Sequence, residues 1–254
     1  MIEDEKDMRK TLKHLCNMVE YISVHQRQIS GKIEELASHH EQLFAQQDRI
    51  YEQVDALFSI FSLIHIRHPL PTLRGWPVSP DFVKIMMSII FEKKPSVVLE
   101  LGSGVSTVVG AYCLEKNGHG ALLSMDHDPG ASQEGGRHLV RHGLDALARV
   151  VCCPLVEQEF SGEKHLWYGI EKLTLPAGID ILVVHGHSVT MQQVARYPAL
   201  PFFMDRLSQG GVVLVDDAAG PGENEIVKRW MEEYPFFDQE YVDTEKGAVI
   251  LRKR

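Results

Sequence analysis

Proline is absent from the first 68 residues, and glycine occurs there once, at Gly31. Nothing in that stretch breaks a helix. No run of 18 apolar residues occurs anywhere, which excludes a membrane-spanning helix. The opening MIEDEKDMRK is acidic and lacks the apolar core of a signal peptide, so a cytoplasmic location is expected. Cysteine is sparse: Cys16, Cys113, Cys152 and Cys153 form no CxxC pair. Buried thiols in a reducing compartment are the expectation. Basic residues are the minority, 26 against 35 acidic, for a net charge of −9. The deficit holds in both parts, with 8 against 11 in residues 1–68 and 18 against 24 in 69–254. Neither has the basic surplus of a phosphate-backbone binder, so no nucleic-acid partner is expected. The rest is ordinary: 254 residues, 44% hydrophobic and 24% charged, exclude wholesale disorder and suit one large domain or two units.

Prolines and glycines recur from Pro69 onward, which divides the chain into 1–68 and 69–254. Steps of four and three from Met8 reach Leu12, Leu15, Val19, Ile22, Gln26, Ile29, Ile33, Leu36, His40, Leu43, Gln47, Ile50, Val54, Leu57, Phe61 and Ile64. Of these 17 positions 14 are apolar. A 3.5-residue repeat of this length predicts a coiled-coil oligomerisation helix, roughly 85 Å long at 1.5 Å per residue. With Leu12 at a and Leu15 at d, every d position is apolar, while Gln26, His40 and Gln47 fall at a. Polar a layers fix register, which favours parallel self-association as dimer or trimer. Phe44, Tyr51 and Phe58 at e widen the face.

Residues 69–254 alternate strands and helices. SPDFVKIMMSIIFEKK reads as a helix with Ser79 as N-cap and Pro80 in the first turn. SVVLEL, ALLSMD, ARVVCCPLV, IDILVVHG and VVLVDD read as strands, and FFDQEYVDT and GAVILRK as a closing pair. ALPFFMDRLSQGG reads as a helix closing on its glycines. This pattern predicts an α/β fold, a doubly wound and mostly parallel sheet with helices on both faces. Such sheets bind ligands at the carboxyl ends of their strands.

The segment Glu100-Leu101-Gly102-Ser103-Gly104-Val105-Ser106-Thr107 directly follows a buried strand and opens a helix. Gly102 and Gly104 allow a tight turn and close approach of a ligand. The helix start offers free N–H groups. A dinucleotide fingerprint would place its third glycine at 107. Thr107 stands there, which leaves an NAD-dependent oxidoreductase as the weakest reading. About 20 residues on, Asp126 ends the next strand, placed to accept hydrogen bonds from ribose hydroxyls. Turn and acid together point to a nucleoside-containing ligand, and adenosine on a sulfonium fits better than a dinucleotide.

With LRGWPVSPD, VVLELGSGVSTVV, LLSMDHD, IDILVVHG, RYPALPFFMDRL and GGVVLVDDAAGPGENEIVKRW, residues 70–254 resemble the class I S-adenosylmethionine-dependent methyltransferases. The similarity is greatest to a bacterial branch found with polysaccharide and glycan biosynthesis. The resemblance implies a Rossmann-like seven-stranded sheet, six strands parallel and the last antiparallel. It implies that S-adenosylmethionine is the cofactor, with Gly102 and Gly104 at its methionine part and Ser103, Ser106 and Thr107 nearby; Glu100, the acid at the strand end, is a further cofactor-binding candidate. Asp126 would hold the ribose, and Pro154 and Leu155 would flank the adenine.

One departure concerns the chemistry. The fourth strand of relatives ends in Asp-Gly, and here it reads Val184-His185-Gly186-His187. In metal-dependent catechol-type relatives that aspartate binds magnesium with an acidic pair ending strand five, represented here by Asp216 and Asp217. Magnesium prefers oxygen ligands, so His185 argues against it. His185 is then a general base for a hydroxyl acceptor, a ligand of manganese or iron together with Asp216 and Asp217, a mark of altered catalysis, or structural. Asp216 is a catalytic candidate, and both acids could equally be turn residues. Arg74, Trp76 and Asp81 form a polar-aromatic cluster at the start of the first core helix. Trp167 and Tyr168 either line an acceptor pocket or pack in the core. The reading is an O-methyltransferase acting on a hydroxyl of a sugar, glycan or small natural product. The alternative is a self-associating scaffold or chain-length module with a weak or inactive methyltransferase-like domain.

Overall fold

The structure, a computed structural model, describes residues 7–73, 78–170, 173–186 and 194–254, and the backbone alone at 2–6. The chain forms two compact units, Met1–Tyr51 and Glu52–Arg254.

The first unit is helical. Helix α1 spans Ile2–Leu63, and Gly31 does not interrupt it. Its apolar heptad positions face water, as at Leu36, which is 67% exposed.

The second unit begins with the last turns of α1. There Ala56, Ile60 and Ile64 are buried in the core, and the Gln53 side chain bonds the carboxylate and backbone N–H of Asp81 at 2.7 and 3.2 Å. The break in composition at 68–69 falls just beyond the end of the helix at Leu63. The compact unit reaches back to Glu52 because these turns supply core side chains.

Helix α2 (Pro80–Lys93) follows Ser79 as read from the sequence. Strand β1 (Val97–Leu101), α3 (Val105–Asn117), β2 (Ala121–Asp126), α4 (Pro129–His142) and β3 (Ala148–Cys152) come next. Then come β4 (Leu155–Phe160), β5 (Glu163–Tyr168), β6 (Ile179–Val184), α5 (Ala199–Phe203), β7 (Leu207–Asp216), α6 (Pro221–Glu233), β8 (Phe237–Val242) and β9 (Ala248–Lys253). Seven strands form one sheet in the order β3-β2-β1-β6-β7-β9-β8. Only β9 runs antiparallel to its neighbours. This is the mostly parallel Rossmann-like sheet expected. Strand order reverses between β1 and β6, which puts the crevice of the fold at their carboxyl ends.

Alternate residues of the central strands serve two cores, as strand geometry requires. Ile181 and Val183 pack with α2, α3 and the end of α1. Leu182 and Val184 pack with β5, α5 and α6, through Trp167, Leu200 and Trp230.

Two readings change. The run ARVVCCPLV is not one strand: β3 stops at Cys152, and Leu155 opens a separate antiparallel hairpin, β4–β5. Its two-residue turn is Ser161-Gly162, with φ of 51° and 81°. Positive φ at both central residues matches the twist of the flanking strands. The run ALPFFMDRLSQGG is helical only to Phe203, with one 3-10 turn over Met204–Arg206. Gly210 and Gly211 do not cap a helix; they lie within β7, where its pairing with β6 shifts register. Cys113 and Cys153 are buried, and burial pushes their thiols up to about 12 and about 11. Cys16 and Cys152 are exposed, unlike the expectation for all four.

Candidate active site

The glycine turn sits at the crevice. Gly102 has φ 101°, a left-handed conformation that excludes most side chains. A Cβ built there would stand 2.8 Å from the Cα and N of Gly186 and from Cε1 of His185. The tips of β1 and β6 therefore touch backbone to backbone. Gly186 N–H closes this contact by donating to Leu101 O at 2.6 Å. A Cβ on Gly104 would meet nothing within 4 Å. The turn is thus packed on one side and open on the other.

Asp126 ties the turn to β2. Its Oδ2 accepts from the N–H and O–H of Ser103 at 2.8 and 2.6 Å. Its Oδ1 accepts from Asp128 N–H at 3.0 Å. A carboxylate has about four lone-pair sites, so about one remains for a ligand hydroxyl, and the rotatable Ser103 hydroxyl could yield another.

Beneath the turn lies a buried polar network. Thr107 Oγ1 accepts from Gly104 N–H at 3.1 Å and donates to Glu100 Oε2 at 2.5 Å. Glu100 Oε1 lies 3.1 Å from His185 Nε2, and Ser106 Oγ lies 3.2 Å from the same nitrogen. Glu100, Ser106 and Thr107 are fully buried. The structure brings together the residues singled out in the glycine motif, but these three support the turn from inside and do not line its open face. With Nε2–H donating to Glu100, the basic nitrogen of His185 is Nδ1, the tautomer this network sets.

At the tip of β7 stand Asp216 and Asp217. Asp216 is buried, and its Oδ1 has no hydrogen-bond partner among the described residues. Burial, then the neighbouring Asp217, push its carboxyl up to about 6 from 3.8, while His185 and Lys246 pull the other way. Asp217 has φ 62° and pairs with Arg196 at 2.6 Å and Lys246 at 3.6 Å. Among the described residues, no three His, Cys, Asp or Glu side chains form a group that could hold a metal. His185, Asp216 and Asp217 share the strand tips but do not converge on one point.

The raised carboxyl of Asp216 has a stability consequence. The folded chain holds this proton more tightly than the unfolded chain, so the stabilisation is complete below about pH 4 and is lost as pH rises through about 6. Asp216→Asn is expected to match the parent near pH 4 and to exceed it above pH 6, by on the order of 2 kcal/mol. Thermal scans between pH 4 and 8 check this; parallel curves would refute it.

Two residues at the crevice were not assigned a site role by sequence reasoning or were left open. Arg196 is 2% exposed and bridges the tips of β6 and β7; it opens the segment RYPALPFFMDRL, which gave it no role of its own. Tyr168 is fully buried against Gly186, and its hydroxyl has no partner among the described residues. Trp167 packs in the core. Asp81 is a fold anchor, accepting from Gln53, from Phe82 N–H and from Glu245 N–H. Arg74, Trp76 and His187 lie outside the described residues.

Residues 99–218 match the family described as "Methyltransferase domain". No curated protein matches the chain in sequence. Among solved structures, an SAH-bound methyltransferase of Podospora anserina is similar, with a TM-score of 0.56 and 15% identity over 70% of this chain and 80% of that one. An O-methyltransferase of Bacillus cereus in complex with SAH gives 0.54 and 14%, over 80% and 90%. An O-methyltransferase of Streptomyces achromogenes involved in tomaymycin synthesis, in complex with SAM, gives 0.52 and 16%, over 79% and 96%.

Proposed function

We propose that the chain, whose residues 99–218 match a methyltransferase-domain family, is of the class I kind and transfers a methyl group from S-adenosylmethionine to a hydroxyl oxygen. The acceptor class is a sugar, glycan or small natural product, which rests on analogy. The observation that carries the reading is the crevice itself. A glycine turn open over Gly104 stands beside a buried acid at the tip of the next strand.

These residues fit the cofactor. The open side of Gly104 and the first amides of α3 offer a polar floor. Asp126 retains acceptor capacity for ribose hydroxyls. S-adenosylmethionine, when bound, supplies a methyl group on a cationic sulfur that leaves readily. The protein then contributes position and a base. His185 Nδ1 takes the acceptor proton. Glu100 holds Nε2–H, orients the ring and stabilises the imidazolium that forms, an arrangement with the logic of a carboxylate–histidine pair. Asp216 adds negative charge beside His185. Asp126→Ala is expected to weaken binding of S-adenosylhomocysteine by about tenfold or more, equivalent to roughly 1.4 kcal/mol. Unchanged affinity in calorimetry would refute the ribose assignment.

Self-association belongs to the same proposal. The heptad stripe of α1 is apolar and exposed, and a second copy presents the same stripe in register. Polar layers at Gln26, His40 and Gln47 then meet their own kind, which suits a parallel dimer or trimer. Sedimentation of the full chain is expected to show an oligomer, and Ile33→Asp with Leu36→Asp a monomer. A monomeric parent would refute this part.

A further inference from the structure

We infer that Arg196 is the resident cation of this site: its guanidinium takes the place between the tips of β6 and β7 that a divalent metal would need, and it holds both tips in position.

Arginine has five N–H donors and no acceptor. Four hydrogen bonds and one ion pair surround them here. Nε lies 3.2 Å from Gly186 O. Nη1 lies 2.9 Å from Asp216 O and 3.2 Å from Glu223 Oε1. Nη2 lies 2.9 Å from His185 O and 2.6 Å from Asp217 Oδ2. Three partners are carbonyls where β6 and β7 end, where the sheet no longer supplies donors. The other two are carboxylates, one of them buried at Glu223 in the first turn of α6. One planar fork thus joins two strands and a helix, and a lysine, with three donors, could not satisfy all five partners.

Two consequences follow. With four hydrogen bonds, a close ion pair and only 2% exposure, Arg196 faces its fixed partners and not a substrate, so it is a positioning residue. It fixes the backbone of His185 and of Asp216, the two groups placed at the reaction. That part rests on the reading of the site given above. The second consequence does not. The metal ligands suggested by the sequence are directed elsewhere: Asp217 toward Arg196 and Lys246, and His185 Nε2 toward Glu100. A divalent ion among them would lie against a fixed positive charge. The donor set does not fit a metal.

The test uses the full chain and three measurements. Calorimetric titration of the parent with manganese chloride and magnesium chloride is expected to show no site, and the Tm in EDTA is expected to equal that in either metal. Manganese binding below about 100 µM that Asp217→Asn abolishes would overturn the inference. Arg196→Lys keeps the charge and loses the fork; its Tm is expected to fall by about 5 °C or more, and an unchanged Tm would overturn the clamp. In Arg196→Ala, millimolar methylguanidinium is expected to restore part of the lost Tm while equal potassium chloride does not. A general packing role would give no such rescue, and its absence in a folded variant would count against a cation site. If that variant does not fold, the parent titration and the lysine variant still decide. A chain that binds no S-adenosylmethionine would defeat the functional proposal and leave these results standing.

Discussion

Replacing His185 by alanine is expected to cut turnover by about 100-fold or more, while cofactor affinity stays within about threefold. The two effects separate because His185 does not lie under the open side of the glycine turn. Its Nε2 is turned inward to Glu100 and Ser106, which leaves Nδ1 for a substrate proton. The cofactor side is built from Gly104 and Asp126. The same logic assigns Glu100 a smaller but measurable part. Glu100→Gln keeps a partner for Thr107, removes the charge facing the imidazole, and is expected to lower turnover about tenfold. Steady-state rates beside S-adenosylhomocysteine titrations check both. Normal turnover in His185→Ala would end its role as base, and parallel losses of turnover and affinity would mean that the histidine supports the cofactor.

The second large effect sets two neighbouring glycines apart. Gly102→Ala is expected to cost at least about 4 kcal/mol or prevent folding, since it combines a positive φ with a rigid clash. The new Cβ would meet backbone atoms of Gly186 at 2.8 Å, and neither β1 nor β6 can retreat from within the sheet. Gly104→Ala adds the same methyl to open space. It is expected to leave Tm within about 2 °C and to lower cofactor affinity, because the methyl projects where the ligand would lie. Thermal scans and calorimetry on the pair decide. Equal stability losses would mean that the turn is packed on both sides, and full affinity in Gly104→Ala would move the cofactor off this face.

Much of this was legible in the sequence because its signals are local. The heptads of α1 and the apolar runs of β1, β2, β6 and β7 are periodic, and periodicity survives without tertiary information. Thr107 was read as a missing glycine and, from the resemblance, as a neighbour of the cofactor. In the structure its hydroxyl receives Gly104 N–H and joins the turn to Glu100, a role that a pattern match cannot display. The β4–β5 hairpin was hidden because Leu155 and Val156 extend the apolar run of β3, although Ser161-Gly162 carried the turn signal. Arg196 was illegible for a stronger reason. Its partners at 185–186, 216–217 and 223 meet only when β6, β7 and α6 are assembled. The acids at 216 and 217 were visible, but which cation they face is a property of the fold.

The central claim is that the crevice between β1 and β6 binds S-adenosylmethionine. Calorimetric titration of the full chain with S-adenosylmethionine and S-adenosylhomocysteine tests it most directly. The account predicts micromolar binding at one site per chain, weakened by Asp126→Ala and indifferent to EDTA. No binding of either compound would contradict it and favour a self-associating scaffold built on α1.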